Sequence, residues 1–421
     1  MRLSSVISRS CLAAAAVALA LPAGMAPALA SSRTPAADEP PGYREVFYPD
    51  GHPRLVKAGT DRPPKVDHQR AAATTTIQRT GPDDNRFVIV IVGDGYTGSQ
   101  QSTYNSQATK LMSTLFGVNP YKQYKKLFNI YRVNVTSPVS GVSGASSRTS
   151  KLVTPLGMHF WCNGIERLLC TDQAAANRYA AQASKSINAV VAIGNTTKYG
   201  GSGGTLTTVA GGNASAGQIL PHEMGHTTGK LGDDYDYPYS SVSSAPEPAY
   251  PNISTRSAAT IKKSKLKWYR WLGATSPSGG KVGAYQGANY YKKGYNRPSQ
   301  DSLMRTLGKP FDPVDREAMI TGFWRNTHPV DAYAWNAGPR ARSSTLWVTR
   351  APVTLQTTWW VDGKYVAGSS GKTKMKISSL KLSAGKKHWV TAAVSDPTKW
   401  VLDPDAKKTY LTQKVTWTVK P

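Results

Sequence analysis

Residues Phe87-Val88-Ile89-Val90-Ile91-Val92 form an unbroken run of aromatic and β-branched side chains, with no polar position to turn toward water. Such a strand must be covered on both faces, and a parallel sheet flanked by helices provides that cover. Gly93-Asp94-Gly95 ends the run with turn-forming residues. Further strands are expected at Phe128 to Val135, Asn188 to Ile193 and, at an edge, Thr205 to Val209. Between them, Leu111, Met112, Leu115 and Phe116 fall at helical spacing, and Ala174 to Ile187 reads as an Ala-rich helix. Alternating strands and helices predict an α/β (α+β) catalytic domain on a mixed, mainly parallel sheet.

The texture changes toward the C-terminus. Residues 234–300 are rich in Tyr, Pro, Ser and Gly and helical only in patches such as Ala259 to Leu272, the composition of long segments that wall a cleft. Beyond Asn336 come short alternating runs, with Asp362-Gly363 set between Trp360-Val361 and Lys364-Tyr365-Val366 as a hairpin signal. Residues 336–421 are expected to fold as a small β-sandwich, after a catalytic domain at 81–335.

The N-terminus reads as an address rather than as structure. Arg2 and Arg9 precede an apolar run from Cys11 to Leu21, too short to span a bilayer, and Ala28-Leu29-Ala30 has the small-x-small form of a cleavage site. Residues 1–30 are therefore expected to be a secretory signal, and no transmembrane segment is expected. Residues 31–80, rich in Pro, Ala, Thr and Arg, read as a flexible leader or propeptide-like segment, with a hairpin turn as one option at Phe47-Tyr48-Pro49-Asp50-Gly51. The signal would take Cys11 with it. Cys162 and Cys170 remain, and their pairing as a disulfide is the expected state in an exported chain, with metal ligation as the alternative. The net charge of +27 excludes no soluble class but favours acidic envelope polymers over nucleic acid as partners outside the cell.

Chemistry concentrates at His222-Glu223-Met224-Gly225-His226. On a helix, imidazoles four positions apart share one face and can grip one tetrahedral zinc ion. With only 7 His in the chain, this spacing is a poor candidate for coincidence. Glu223 then stands as general base toward a metal-activated water, the arrangement of peptide-bond hydrolysis. Gly229 is placed to end the helix, and Asp233 or Asp234 to supply the third ligand. Pro221, one residue before His222, implies a late helix start or a kink.

Taken together these residues resemble the metzincin group, marked by His-Glu-x-x-His-x-x-Gly, a third ligand beyond it and a Met-containing turn under the zinc. His222, Glu223, His226 and Gly229 match; the usual third-ligand position is Gly232, so the resemblance hands that role to Asp233 one residue later. A closer resemblance is to the bacterial IgA-peptidase family of zinc metallopeptidases, over roughly residues 81–325. It is carried by Gly93-Asp94-Gly95-Tyr96-Thr97, Phe128-Asn129-Ile130-Tyr131-Arg132-Val133, the Cys162 to Cys170 segment and the stretch from His222 to Tyr235. Ser302-Leu303-Met304-Arg305 and Phe311-Asp312-Pro313-Val314-Asp315-Arg316-Glu317 complete it. The chain departs from the family pattern at Asp234, where Glu is common, and at Asp312 and Asp315, where Cys is common, so a local disulfide is absent there.

The resemblance implies one zinc ion held by His222, His226 and Asp233, Glu223 as general base and Met304 as the turn beneath the metal. It implies a protein or peptide substrate, without fixing which one. Tyr235, Tyr290, Tyr291 and Tyr295 are candidate oxyanion stabilisers by residue type, with Tyr295 preferred, and Arg305 and Arg316 are expected to pair with Asp312, Asp315 or Glu317. Two other readings use the same residues: an envelope-binding protein with a vestigial metal site, and a zinc amidase acting on cell-wall peptides. An intact Glu223 argues against the first, because a structural zinc has no use for a general base.

Overall fold

The computed structural model describes residues 43–47, 53–57, 71–203, 206–237 and 246–420. The expected signal at residues 1–30 lies outside them. First, β1 (Tyr43–Phe47) pairs antiparallel with β2 (Pro53–Lys57), Phe47 opposite Pro53; residues 48–52, where most of the anticipated turn falls, lie outside the described residues. Val56 of β2 packs beside Cys162, Cys170, Ile165 and Leu168.

The central sheet has 6 strands, and in spatial order they are β3 (Ala73–Gln78), β5 (Phe128–Asn134), β4 (Phe87–Asp94), β6 (Ala189–Gly194), β8 (Leu206–Ala210) and β7 (Gly201–Ser202). The inner strands β5, β4, β6 and β8 run parallel, and β3 and β7 add antiparallel edges. The sheet begins earlier than expected, since β3 falls within the segment read as a leader. Its Ala-Thr-Thr-Thr sequence is largely exposed, so no apolar face announced it. Nor is β8 an edge, because the two-residue β7 covers it.

The apolar run in β4 behaves as its composition demands. Phe87, Ile89 and Ile91 enter one core, and Val88, Val90 and Val92 enter another. Each of these side chains contributes about 1.5–3 kcal/mol on burial. On the first face lie α1 (Gln101–Leu115), through Tyr104, Ala108 and Leu111, and the short α2 (Tyr121–Tyr124). On the second lies α3 (Gln173–Ala180), through Ala176, Tyr179 and Ala180. This helix stops at Ala180, short of the expected Ile187, and turn residues Gln182 and Ala183 close it. Asp94, at the end of β4, is buried and accepts from Thr154 Oγ1, Leu156 N and Met158 N, anchoring the loop that leads to the disulfide Cys162–Cys170.

Helix α4 (Ala216–Met224) packs on the first face through Ile219, Leu220 and Met224. A small sheet of β10 (Tyr285–Ala288), β11 (Tyr290–Arg297) and β9 (Asp236–Tyr237) follows, with α5 (Ala258–Lys263) beside it in the chain. Helix α6 (Pro313–Arg325) is capped by Asp312 and buries Met319, Ile320 and Phe323 in the same first core.

After α6 come two antiparallel sheets. One orders β12 (Val330–Tyr333), β13 (Thr345–Arg350) and β16 (Lys374–Lys376); the other orders β15 (Lys364–Tyr365), β14 (Gln356–Val361), β17 (His388–Ser395) and β18 (Thr412–Val419). The fold is mixed α+β. Inward residues Leu346, Trp359, Val390 and Trp417 continue the core that begins at Phe87. Polar contacts join the two parts: Asp396 Oδ2 accepts from Tyr124 Oη at 2.6 Å and from Trp324 Nε1 at 2.9 Å. Glu317 Oε1 accepts from the backbone N of Leu402 and Asp403, just before α7 (Pro404–Thr409). No helix among the described residues is long and apolar enough to cross a membrane.

Candidate metal centre

Helix α4 starts at Ala216 and includes Pro221, so the late start is not seen, and it widens afterwards into a π-helical turn, Gly225–Gly229. Proline removes one backbone donor from the ladder, and wide turns of this kind are common where helices carry function. The turn ends at Gly229, but the left-handed residue that swings the chain back is Lys230, with φ 55°. Gly229 serves space instead: it lies against Met319 and Leu231.

The swing brings Asp233 to the two histidines. His222 Nε2 and His226 Nε2 are 3.2 Å apart, and Asp233 Oδ1 is 3.2 Å from each. Tetrahedral zinc with bonds of about 2.0–2.1 Å sets its donors about 3.3 Å apart. The other ring nitrogens are occupied: His222 Nδ1 donates to Leu303 O at 2.9 Å and His226 Nδ1 to Leu231 O at 2.8 Å. Those carbonyls can only accept, so each neutral ring carries its proton on Nδ1 and turns a lone pair of Nε2 inward. Asp233 Oδ1 is buried and accepts no conventional donor. Two nitrogen lone pairs and a carboxylate oxygen therefore converge on one point, a donor set that could hold a metal ion.

The supports are equally specific. Tyr290 Oη donates to Asp233 Oδ2 at 2.7 Å, and Asn289 N donates to Asp233 O at 2.8 Å. Tyr290 holds this position with φ 71°, a region non-glycine residues rarely occupy. Tyr235 stacks on the His222 ring at 6.5 Å. Gly232 explains why the ligand falls one residue late: a Cβ there would lie 2.4 Å from Ile253 Cδ1 and 2.7 Å from the Tyr250 ring, so no side chain fits. Met304 is fully buried against Gly225, and its carbonyl accepts from Asp234 N at 2.9 Å. Glu223 is 4% exposed, with its carboxylate laid against the Cα of Gly203. Of the three donors, His226 has the most exposed side chain at 10%, so the centre opens beside it.

Of the predicted set, the structure brings His222, His226 and Asp233 together and packs Met304 beneath them. Asp233 groups with the two histidines, while Asp234 groups with Asp312 and Asp315. Burial, followed by the Asp312 charge, pushes the Asp234 carboxyl up to about 8. Tyr295 packs with Ile253 and Ala288 in a separate cluster, and Tyr290 is the tyrosine that reaches the donor triad. Arg305 pairs with Asp236 at 2.9 Å rather than with the downstream acids, whereas Arg316, over the Trp400 ring, faces Asp312 and Asp315 with its charge and donates to Asp312 O. Gly203, and the convergence of Asp234 with Asp312 and Asp315, had no signal in the local sequence.

The IgA Peptidase M64 family matches residues 75–279 and 272–323, which span the central sheet, the histidine helix and the methionine turn. The chain belongs to the IgA peptidase M64 family. It is a peptidase, hence a hydrolase, and the M64 match runs continuously through the donor triad. No curated protein matches the chain.

In an M64 peptidase with this triad, Tyr290→Phe is expected to weaken metal binding about 10–100-fold with the fold intact, because it removes the hydrogen bond that aims Asp233. Competition with a chromogenic chelator measures it; an unchanged affinity would deny Tyr290 that role.

Proposed function

We propose that this chain is an exported, zinc-dependent peptidase in which Glu223 is the general base. The observation that carries the reading is the triangle of His222 Nε2, His226 Nε2 and Asp233 Oδ1, with both Nδ1 protons committed to carbonyls. Two imidazoles and one carboxylate are a zinc donor set, and three protein ligands leave one position open, as in catalytic rather than structural sites.

Zinc held there supplies a concentrated positive charge that lowers the pKa of water toward ~7 and polarises a carbonyl. The remaining work falls to the chain. His222, His226 and Asp233 fix where that charge sits. Glu223 takes the proton from the attacking water as the new C–O bond forms, then returns it to the leaving nitrogen as the peptide C–N bond breaks. Tyr290 keeps Asp233 oriented throughout. Export is supported by Arg2, Arg9, the apolar run and Ala28-Leu29-Ala30, together with the disulfide Cys162–Cys170. The catalytic part is read as metzincin-like and the two C-terminal sheets as a sandwich.

The test is hydrolysis of a mixed peptide library by the purified protein. About one zinc per chain is expected, with activity lost to 1,10-phenanthroline and restored by zinc. Chelator-resistant hydrolysis, or no turnover by zinc-loaded protein, would contradict the proposal.

A further inference from the structure

Behind the histidine centre lies a second convergence. Asp234, Asp312 and Asp315 are each 0% exposed, and one carboxylate oxygen from each falls within 4.8 Å of the others. Some of their oxygens have partners. Asp234 Oδ1 accepts from Asn252 Nδ2 and Oδ2 from Ser302 Oγ; Asp312 Oδ1 caps α6 by accepting from Val314 N and Asp315 N; Asp315 Oδ2 faces Asp312 N. Two oxygens are left over: Asp312 Oδ2 and Asp315 Oδ1 are fully buried and make no hydrogen bond of ordinary geometry, although the Ser299 hydroxyl lies near the Asp312 carboxylate and the Ser302 hydroxyl near that of Asp315. Arg316 lies over the Trp400 ring, donates to Asp312 O and keeps its charge beside Asp312 and Asp315, while two other nearby guanidinium groups are spent on different partners. Arg297 donates to the carbonyls of Gln286, Gly287 and Gln300, and Arg305 to Asp234 O and Asp236.

Buried carboxylate oxygens without donors are satisfied by protons or by a metal ion, and three carboxylates converging on one point suit the metal ion. From the donor set and its enclosure, we propose that Asp234, Asp312 and Asp315 form a second metal site, specific for calcium and distinct from the histidine centre. Three carboxylates are hard donors, unsuited to zinc, which favours nitrogen and sulfur. Magnesium gives up its water reluctantly and rarely enters a site with no solvent, whereas calcium accepts irregular all-oxygen cages.

The ion would join two separate pieces of chain, the ligand loop at Asp234 and the start of α6 at Asp312 and Asp315, and Ser302 Oγ ties the turn between them to Asp234. Asp234 follows Asp233, and Leu303 O, which orients His222, follows Ser302. Calcium therefore stiffens the frame on which the proposed zinc centre is built; that coupling rests on the zinc reading, while the calcium site does not.

The experiment strips the full protein with chelator, dialyses it against millimolar calcium chloride, removes free ions by gel filtration and measures bound calcium by mass spectrometry. About one calcium per chain is expected, in the wild type and equally in His222→Ala/His226→Ala, which has lost the histidine centre. Asp312→Asn/Asp315→Asn is expected to bind none. Calcium, but not magnesium, is expected to raise the thermal midpoint of stripped wild type by several degrees. Folded wild type with less than about a tenth of an equivalent, or undiminished calcium in Asp312→Asn/Asp315→Asn, overturns the proposal. If that variant does not fold, the wild-type stoichiometry and midpoint decide. Calcium bound without zinc would leave this site standing and the peptidase reading fallen.

Discussion

Glu223→Gln is expected to keep its zinc and to lose about 10²–10⁴-fold in kcat/KM on peptide substrates. Glutamine has the same shape and fills the same buried place, but its amide cannot accept the proton of an attacking water. Glu223 is not among the convergent donors, so metal content is not expected to fall with activity. That separation is the informative part. A metal-free variant would make Glu223 a structural support, and hydrolysis within about threefold of wild type would remove it from the chemistry.

The second large effect comes from a residue that carries no chemistry of its own. A Cβ on Gly203 would lie 1.2 Å from Glu223 Oε2 and 2.1 Å from its Cδ, far inside the ~3.5 Å of ordinary contact. Gly203→Ala therefore displaces the Glu223 carboxylate by more than ~1 Å, and misplacement of that order costs about 10²-fold in rate. Zinc stoichiometry is expected to stay near wild type, since the atoms nearest a Cβ on Gly203 all belong to Glu223 and none to a metal donor. Single-turnover kinetics on the zinc-loaded variant reads the effect directly. An unchanged rate would mean that the carboxylate can move without penalty, and that its observed position is not the working one.

Much of this was legible in the sequence where one segment determines its own environment. The run from Phe87 to Val92 has apolar residues on both faces of any strand it forms, so a double-covered inner strand was forced. His222 and His226 needed only helical spacing. The spacing of Cys162 and Cys170 likewise anticipated the disulfide. What stayed hidden depended on distant pieces meeting. Asp233 and Asp234 are identical in kind and adjacent, and only the room around Gly232 and the bond from Asn289 decide which one turns to the histidines. The role of Tyr290 depends on a left-handed backbone that no local preference announces. Strand β3 is an exposed threonine-rich edge held by its pairing with β5 rather than by burial. Glu223 rests on Gly203, and Asp234 meets Asp312 and Asp315, through tertiary contacts between segments far apart in the chain. Pro221 lies inside α4, so the late start that it suggested is not seen.

The central claim is that one zinc ion sits where two histidine lone pairs and one aspartate oxygen converge. Anomalous diffraction recorded on either side of the zinc absorption edge, from crystals of the purified protein, tests it most directly. A single strong peak is expected about 2.0–2.2 Å from His222 Nε2, His226 Nε2 and Asp233 Oδ1. A zinc peak elsewhere in the molecule, or none at that triangle in protein that hydrolyses peptides, would contradict the account.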